Sequence, residues 1–245
     1  FSTKRHIRMT TTKRPHDDFF KLLLSMKEVI RDLTCNALEK EVAEQIDLDS
    51  LRLDPTDYRD EQLAGLFSDV VYECRFKDAD VTLNISILWE HKSKFKAGVK
   101  FQLLNYMVEI WRTQQRQKKA NNLVLSIVFS QDPRGWQDDG HEPLFPDLPE
   151  ILQPFAPGFR YIVIDLSQYS DEEIDKLFDT VQLRTSLHVM KHIKDPDFPE
   201  EISSIFRELD KLIEQENGVS LFAAIYTYLY NARKNKDEEL SLIHI

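Results

Sequence analysis

The sequence predicts an α/β core followed by an α-helical C-terminal part. Residues 69–76 and 81–90 alternate apolar and polar side chains, which is the period-two pattern of two strands that pair as a hairpin. Residues 97–119 change to a helical period, with a broad apolar arc on one side. Residues 123–129 form a compact β-branched and aromatic run typical of a buried strand. Strands and helices in this order favour an α/β domain.

The remaining elements follow from the same patterns. They are a helix over 17–44, a short extended segment over 49–57, a turn over 77–80, a long loop over 131–158 and a strand over 159–166. Ser170 and Glu173 form a capping box that opens a helix. From there the chain is helical to Arg233, with a break near Pro196 and Pro199.

Composition indicates a folded cytoplasmic protein rather than a membrane or secreted one. The 245 residues are 42% hydrophobic and 30% charged, so the chain can bury a core. Two cysteines, Cys35 and Cys74, provide no disulfide framework and suit a reducing compartment. The longest apolar stretch, residues 219–230, is too short to cross a bilayer, and no apolar segment of a secretory signal follows the N-terminal charges. We interpret residues 1–8 and 240–245 as non-native ends, with Met9 as a candidate start.

The charge distribution is uneven, which matters for a nucleic-acid partner. The whole chain carries −10, whereas residues 91–119 carry +7 and the remainder −17. Such a segment can contact phosphates, although a solvated helix face is the alternative interpretation. The cations that we assign to DNA contact are Lys94, Lys96, Lys100, Arg112 and Arg116.

Three residues point to hydrolysis of phosphodiester bonds. Asp69 begins the first hairpin strand, and Glu90 and Lys92 end the second. Glu90 and Lys92 are two apart on a strand, so both leave the same face about 7 Å apart. Two carboxylates are hard oxygen ligands for Mg²⁺, which lowers the pKa of a bound water, and a lysine can orient that water and stabilise charge on the phosphate.

These residues resemble the D…(D/E)-x-K core of the PD-(D/E)XK nuclease superfamily. Glu90-His91-Lys92 matches the second part, whereas Ser68 stands where the motif has its proline. Gln102 and Tyr106 resemble the Q-x-x-x-Y motif of RecB-like members, and their spacing places them about 40° apart around a helix.

The chain is further similar to the Rpn (recombination-promoting nuclease)/YhgA-like putative transposase group. The similar segments include Phe67-Ser68-Asp69, Leu88-Trp89-Glu90-His91-Lys92 and Tyr161-Ile162-Val163-Ile164-Asp165-Leu166. The resemblance implies a restriction-endonuclease-like core, a mixed central sheet flanked by helices, over residues 15–180, with a helical extension over 181–235. It also implies a bacterial DNA endonuclease linked to recombination or mobile elements, dependent on Mg²⁺ or alternatively on Mn²⁺ or Ca²⁺. By this analogy Asp69, Glu90 and the backbone carbonyl of His91 bind metal, and Lys92 assists the water.

Several other titratable residues have two interpretations. Glu73 shares the strand face of Asp69 and either supports the acidic site or pairs with Arg75 or Lys92. The His91 side chain points to the apolar face and is packed there, and His16 belongs to a helix N-terminus rather than a metal site. Asp17 and Glu28 are weaker candidates for a metal contact from the first helix. His188 and His192 are four apart on a helix and can bind zinc, but the sequence offers no nearby third ligand. Asp165 ends a strand and is interpreted as structural.

The sequence therefore predicts a metal-dependent endonuclease on double-stranded DNA, with an inert DNA-binding or protein-interaction module of the same fold as the alternative and an RNA-directed nuclease as a third hypothesis. A homodimer would suit a double-strand cut, which requires two sites. Motifs of P-loop NTPases, Rossmann enzymes, α/β-hydrolases and zincins do not occur in the sequence, which argues against those classes and against an organic cofactor.

Overall fold

A computed structural model describes residues 14–54, 70–77, 84–92, 94–95, 98–141, 143–195 and 218–242. The backbone divides into a sheet unit, Leu33–Tyr169, and a helical unit, Phe1–Asp32 with Ser170–Ile245. The predicted division into residues 15–180 and 181–235 is a different partition of the chain, and it stays a prediction. None of the helices in the described ranges has the length and apolarity that crossing a membrane requires.

The sheet unit contains five strands in the order β1-β2-β3-β4-β5. Their bounds are Ile46–Leu53 (β1), Val70–Phe76 (β2), Asn84–Lys92 (β3), Leu123–Ser130 (β4) and Ile162–Asp165 (β5). The first two pairs are antiparallel, and β3-β4 and β4-β5 are parallel. The sheet is thus mixed, and the predicted β2-β3 hairpin pairing is confirmed, because Val70 pairs with Trp89 and Arg75 with Asn84.

Strand β1 differs from its prediction. A short extended segment was expected over 49–57, but the strand begins at Ile46. It pairs with β2 near both of its ends, and the register shifts between Asp47 and Arg52. Ile46 is completely buried, which explains why the strand begins there. Residues 55–57 lie outside the described ranges.

Helix α4, Val99–Arg116, connects β3 to β4 and covers one face of the sheet. Its buried side chains Leu103 and Ile110 pack against Val71 of β2 and Val128 of β4. Leu103 is 0% exposed, and truncation of such a side chain typically costs about 2–5 kcal/mol. This packing fixes the first turns of α4 beside the end of β3.

The predicted single helix over 17–44 is wrong. The structure has three helices there: Pro15–Leu24 (α1), Lys27–Ala37 (α2) and Lys40–Gln45 (α3). At the first break the Ser25 hydroxyl donates to the Leu22 carbonyl at 2.6 Å, and the Ser25 amide bonds to the carbonyls of both Lys21 and Leu22. A serine that satisfies helix-end carbonyls in this way favours termination over continuation.

The described C-terminal part is helical, as predicted. Its helices are Asp171–Leu177 (α5), Val181–His192 (α6) and Gly218–Leu242 (α7). The Ser170–Glu173 capping box is confirmed, with both reciprocal bonds present. In the helical unit, Phe19 of α1 stacks on Tyr228 of α7 with ring centroids 4.5 Å apart.

Candidate active site

Strand ends of the sheet unit meet at one edge, which we call the carboxyl edge. Lys92, Ser130 and Asp165 are the last residues of the parallel strands β3, β4 and β5, and they pair in register across the sheet. The antiparallel strand β2 begins at the same edge, because Val70 pairs with Trp89. The end of β3 and the start of β2 therefore lie at the same edge.

At this edge, Lys92 takes part in a chain of hydrogen bonds with two residues of α4. Its Nζ donates to Oε1 of Gln102 at 3.1 Å, and Nε2 of Gln102 donates to the hydroxyl of Tyr106. Tyr106 is buried in the core beneath α4, whereas Lys92 and Gln102 are half-buried. The structure thus brings together the strand lysine and both residues of the Q-x-x-x-Y pattern, in a chain of bonds that holds the ammonium group.

Of the two predicted carboxylates, Glu90 lies two residues before this lysine on β3. Asp69 lies outside the described residues, and it precedes Val70 of β2. The backbone of Glu90 is part of β3 and pairs with Val128 of β4. The metal-binding roles of Asp69, Glu90 and the His91 carbonyl stay predictions.

The side chain of His91 is packed on the other face of the sheet, as expected. It is buried, its Nε2 lies 3.3 Å from Oε1 of Gln131, and its ring lies 6.1 Å from the ring of Phe129. Strand alternation accounts for this placement, because the side chain of neighbouring Lys92 contacts α4 on the opposite face.

Glu73 is not brought to the carboxyl edge. It lies three residues into β2 from Val70, about 10 Å along the strand. The buried carboxylate accepts bonds from Nε and Nη2 of Arg52 at 3.1 and 2.7 Å. Of the two interpretations of Glu73, the structure favours the ion pair over a place in the acidic site. The partner is Arg52 of β1 rather than Arg75 or Lys92. Arg75 instead pairs with Asp47 at 3.0 Å.

Asp132 is a residue at this edge that the sequence did not reveal. Its buried carboxylate accepts from the Phe95 amide at 2.8 Å and from Nε and Nη2 of Arg134 at 3.0 and 2.8 Å. The Arg134 guanidinium holds the pKa of Asp132 well below its usual range. Burial of the carboxylate would by itself raise this pKa, but the bonds to Arg134 outweigh it. Asp132 thereby joins the segment after β3 to the segment after β4. The sequence feature that could have identified Asp132 is its position, two residues after the end of a buried strand.

Asp165 has the structural role that was expected of it. Its carboxylate accepts from the amides of Trp136 and Ser167 at 2.8 and 3.1 Å, and from the Ser167 hydroxyl at 2.9 Å. These bonds cap the turn after β5 and fix the segment that carries Trp136.

The predicted DNA contacts are not one continuous surface. Lys94 is exposed, and Lys96 lies outside the described ranges. Lys100 is only 7% exposed: its Nζ lies 5.5 Å from the centroid of the Phe159 ring and 6.0 Å from that of Tyr161. This burial contradicts the expectation that Lys100 contacts DNA, because a buried ammonium group does not reach a phosphate.

Arg112 and Arg116 are exposed but lie far along α4 from the edge. They follow Gln102 by 10 and 14 residues, which is about 15–21 Å of helix. Both pair with Glu109, at 3.7 and 2.5 Å, so part of their charge is neutralised locally. They can contribute to binding a long ligand such as a duplex, but they do not line the edge.

His16, which was expected to belong to a helix N-terminus rather than to a metal site, has a structural partner. Its Nδ1 lies 2.7 Å from the Tyr228 hydroxyl within the helical unit, which supports its interpretation as part of a helix N-terminus. The candidate roles of Asp17 and Glu28 in the same unit stay predictions.

Comparisons with known proteins agree with the resemblance. The chain matches the family model described as "Putative transposase, YhgA-like" over residues 14–220. It is similar to recombination-promoting nuclease RpnD of Escherichia coli O157:H7, with 30% identity over 196 residues that cover 76% of this chain and 71% of that protein. No solved structure matches, so the restriction-endonuclease-like core stays a prediction.

Two further relatives carry names that describe inactive proteins. The inactive recombination-promoting nuclease-like protein RpnE of Escherichia coli K12 is 25% identical over 228 residues, 90% of this chain and 71% of that protein. The putative inactive recombination-promoting nuclease-like protein YjiP of the same strain is 33% identical over 100 residues, 41% of this chain and 95% of that protein. Likeness to this group therefore does not by itself establish activity.

Proposed function

Because the chain belongs to the YhgA-like family of putative transposases, whose relatives include recombination-promoting nucleases, we propose that it is a metal-dependent DNA endonuclease. The observation that carries this proposal is the Lys92-Gln102-Tyr106 chain of bonds at the end of β3. A mixed sheet with an antiparallel hairpin followed by parallel strands is consistent with the restriction-endonuclease-like core that the proposal assumes.

The metal would be held by the carboxylates of Asp69 and Glu90 with the backbone carbonyl of His91. The described strands support this set, because Asp69 and Glu90 directly adjoin the paired residues Val70 and Trp89. Such hard oxygen donors fit Mg²⁺, or alternatively Mn²⁺ or Ca²⁺. When bound, the ion supplies charge neutralisation at the phosphate and a more acidic water.

Lys92 provides a positive charge whose position is fixed. Gln102 accepts one of its protons, and Tyr106 anchors Gln102 to the core, so the ammonium group loses little additional freedom when substrate binds. In the proposed reaction the ammonium group of Lys92 would contact the attacking water or the phosphate oxygens. Negative charge that develops on the phosphate would be stabilised there.

Double-stranded DNA is the proposed substrate, with Lys94, Arg112 and Arg116 as outlying phosphate contacts. Lys100 is excluded from this set by its burial. A homodimer would allow cleavage of both strands, and RNA is an alternative substrate of the same site.

The experiment is plasmid nicking by the full chain with Mg²⁺, beside EDTA and the variant Glu90→Gln. Glu41→Gln, which alters an exposed glutamate of α3, is the matched control. We expect Glu90→Gln to lower the rate about 100-fold or more, because a residue that acts on the reacting phosphate typically contributes this much, while Glu41→Gln keeps the wild-type rate. Full activity of Glu90→Gln would show that the site is elsewhere.

An inert DNA-binding or protein-interaction module of the same fold is the second candidate. The inactive relatives favour it, together with the net charge of −10 and the burial of Lys100. Binding of duplex DNA without nicking under Mg²⁺, Mn²⁺ or Ca²⁺ would select this candidate. Competition between duplex DNA and RNA for cleavage would separate the two substrates.

A further inference from the structure

We propose that Asp171, His188 and His192 form a binding site for a divalent transition metal such as Zn²⁺, within the helical unit and independent of the proposed nuclease site. Asp171 lies in the first turn of α5, and the two histidines lie one turn apart on α6. One ligand atom from each residue lies within 4.8 Å of the other two. The sequence offered the histidine pair without a third ligand, and the fold supplies Asp171.

The separations between these atoms suit a small tetrahedral ion. An ion with bonds of about 2.1 Å separates its ligands by about 3.4 Å. In the structure Oδ1 of Asp171 lies 3.0 Å from Nε2 of His192 and 3.8 Å from Nδ1 of His188. These two separations lie within about 0.4 Å of that value, and all three ligand atoms lie within 4.8 Å of one another.

The outer nitrogens of both rings supply an independent observation. Nε2 of His188 lies 2.9 Å from Oδ1 of Asp175, and Nδ1 of His192 lies 2.7 Å from Oδ2 of Asp195. Histidines that bind metals typically donate this second N–H to a carboxylate, which fixes the ring and increases its basicity. When those protons are donated outwards, the neutral rings present their inner nitrogens to the Asp171 side, and a bound cation would take the place of the proton that otherwise bridges Nε2 of His192 and the Asp171 carboxylate.

The local charge also favours a cation. Three carboxylates, those of Asp171, Asp175 and Asp195, surround the histidine pair. Lys191 is the compensating ammonium group, with Nζ 2.6 Å from Oδ1 of Asp171. With neutral histidines the cluster carries −2, which one divalent ion neutralises. The second oxygen of Asp171, Oδ2, also lies 3.0 Å from Nε2 of His192 and offers the ion an alternative donor.

The surrounding helices hold the three ligands in place. Ser170 and Glu173 cap α5, while Ile174 of α5 and Leu187 of α6 are buried. The side chains of His188 and His192 are 20% exposed and that of Asp171 is 49% exposed. An ion could therefore enter from solvent, and a water could complete its coordination.

The test is titration of the metal-free full chain with Zn²⁺ by calorimetry, and with Co²⁺ as a spectroscopic probe of tetrahedral coordination. The variants are His188→Gln, His192→Gln and, for an outer carboxylate, Asp175→Asn. His141→Gln, which alters an exposed histidine of the sheet unit, is the matched control. Thermal unfolding without metal verifies that each variant is folded.

We expect one Zn²⁺ with an intense visible Co²⁺ spectrum in the wild-type protein, in His141→Gln and in Glu90→Gln. Each ligand variant should lose at least 100-fold in affinity, and Asp175→Asn about 10-fold, as outer-sphere substitutions typically do. A tetrahedral Co²⁺ spectrum that survives His192→Gln, or that is lost in Glu90→Gln, would overturn the proposal. Absence of zinc binding in the wild-type protein would do so too, and would leave the cluster as an ion-pair network joining α5 to α6.

Discussion

Among the described glycines of the sheet unit, Gly140 is the one at which a single methyl group should be most disruptive. Its φ of +82° lies in the left-handed region, and a Cβ built there would lie 2.0 Å from the Tyr161 carbonyl oxygen and 3.0 Å from the carbonyl carbon. Tyr161 is buried immediately before β5, and its amide donates back to the Gly140 carbonyl at 3.3 Å. The atoms in conflict belong to backbone, so rotation of a side chain cannot relieve them.

Gly98 and Gly135 serve as controls. They separate the cost of the clash with the Tyr161 backbone from the cost of placing an alanine in the left-handed conformation. All three glycines have φ of +81° or +82°, but a Cβ at Gly98 would meet no atom within 4 Å, and one at Gly135 would meet its nearest atom at 3.4 Å. The left-handed conformation costs an alanine about 1–2 kcal/mol, partly offset by about 0.4–1 kcal/mol from the less flexible unfolded chain. Gly98→Ala should therefore lose about 1 kcal/mol, and Gly140→Ala about 1–3 kcal/mol more through overpacking.

Urea unfolding monitored by tryptophan fluorescence is the suitable assay. The three tryptophans, Trp89, Trp111 and Trp136, all lie in the sheet unit, so the signal reports on that unit. The free energy of unfolding should decrease in the order Gly98→Ala, Gly135→Ala, Gly140→Ala. Equal losses for Gly98→Ala and Gly140→Ala would refute the reasoning, because they would show that the Tyr161 backbone moves without cost.

Two further predictions concern titratable groups in the sheet unit. Asp132→Asn should cost roughly 2 kcal/mol at neutral pH, because the buried acceptor loses its charge-assisted bonds. The pKa of Asp132 is lowered by folding, so its stabilisation is complete above the unfolded pKa of about 3.9 and is lost as the pH falls through the folded value. Urea midpoints of the two proteins should therefore converge in acid, and a constant difference down to pH 2 would contradict this. Of the two thiols, exposed Cys35 should react with a thiol reagent in the native protein, whereas Cys74, whose pKa burial raises to about 12, should react only after unfolding. Rapid labelling of both would show that β2 opens.

The sequence predicted those features that depend on neighbours along the chain. Alternation in β2 and β3 predicted their pairing, and the four-residue spacing of Gln102 and Tyr106 predicted a shared helix face. Lys92 lies only ten residues before Gln102, so the chain of bonds at the carboxyl edge joins residues within one strand-helix connection. Local periodicity carries this information because each element repeats its orientation every two or about 3.6 residues.

Features that depend on distant residues were missed. Lys100 has the composition and position of a surface cation on an amphipathic helix, but the rings of Phe159 and Tyr161, about sixty residues later, enclose it. Asp132 is fixed by the amide of Phe95, and the metal-ligand group becomes visible only when α5 places Asp171 beside α6. Register and packing between elements determine these contacts, and neither is encoded in the period of a single segment.

The same separation explains how active and inactive relatives can share one fold. The contacts that hold the sheet unit together, such as Leu103 against Val71 and Val128, lie away from the end of β3. A carboxylate at a strand end contributes little to that core, and two carboxylates brought to one edge repel each other until a cation arrives. If Asp69 and Glu90 hold the metal as we propose, loss of either carboxylate would be neutral or slightly favourable for stability while it removed metal binding. The proposed site therefore predicts that stability and activity depend on different residues in this chain. Glu90→Gln should abolish nicking without lowering the urea midpoint, and a variant that lost both together would place Glu90 in the framework rather than in the site.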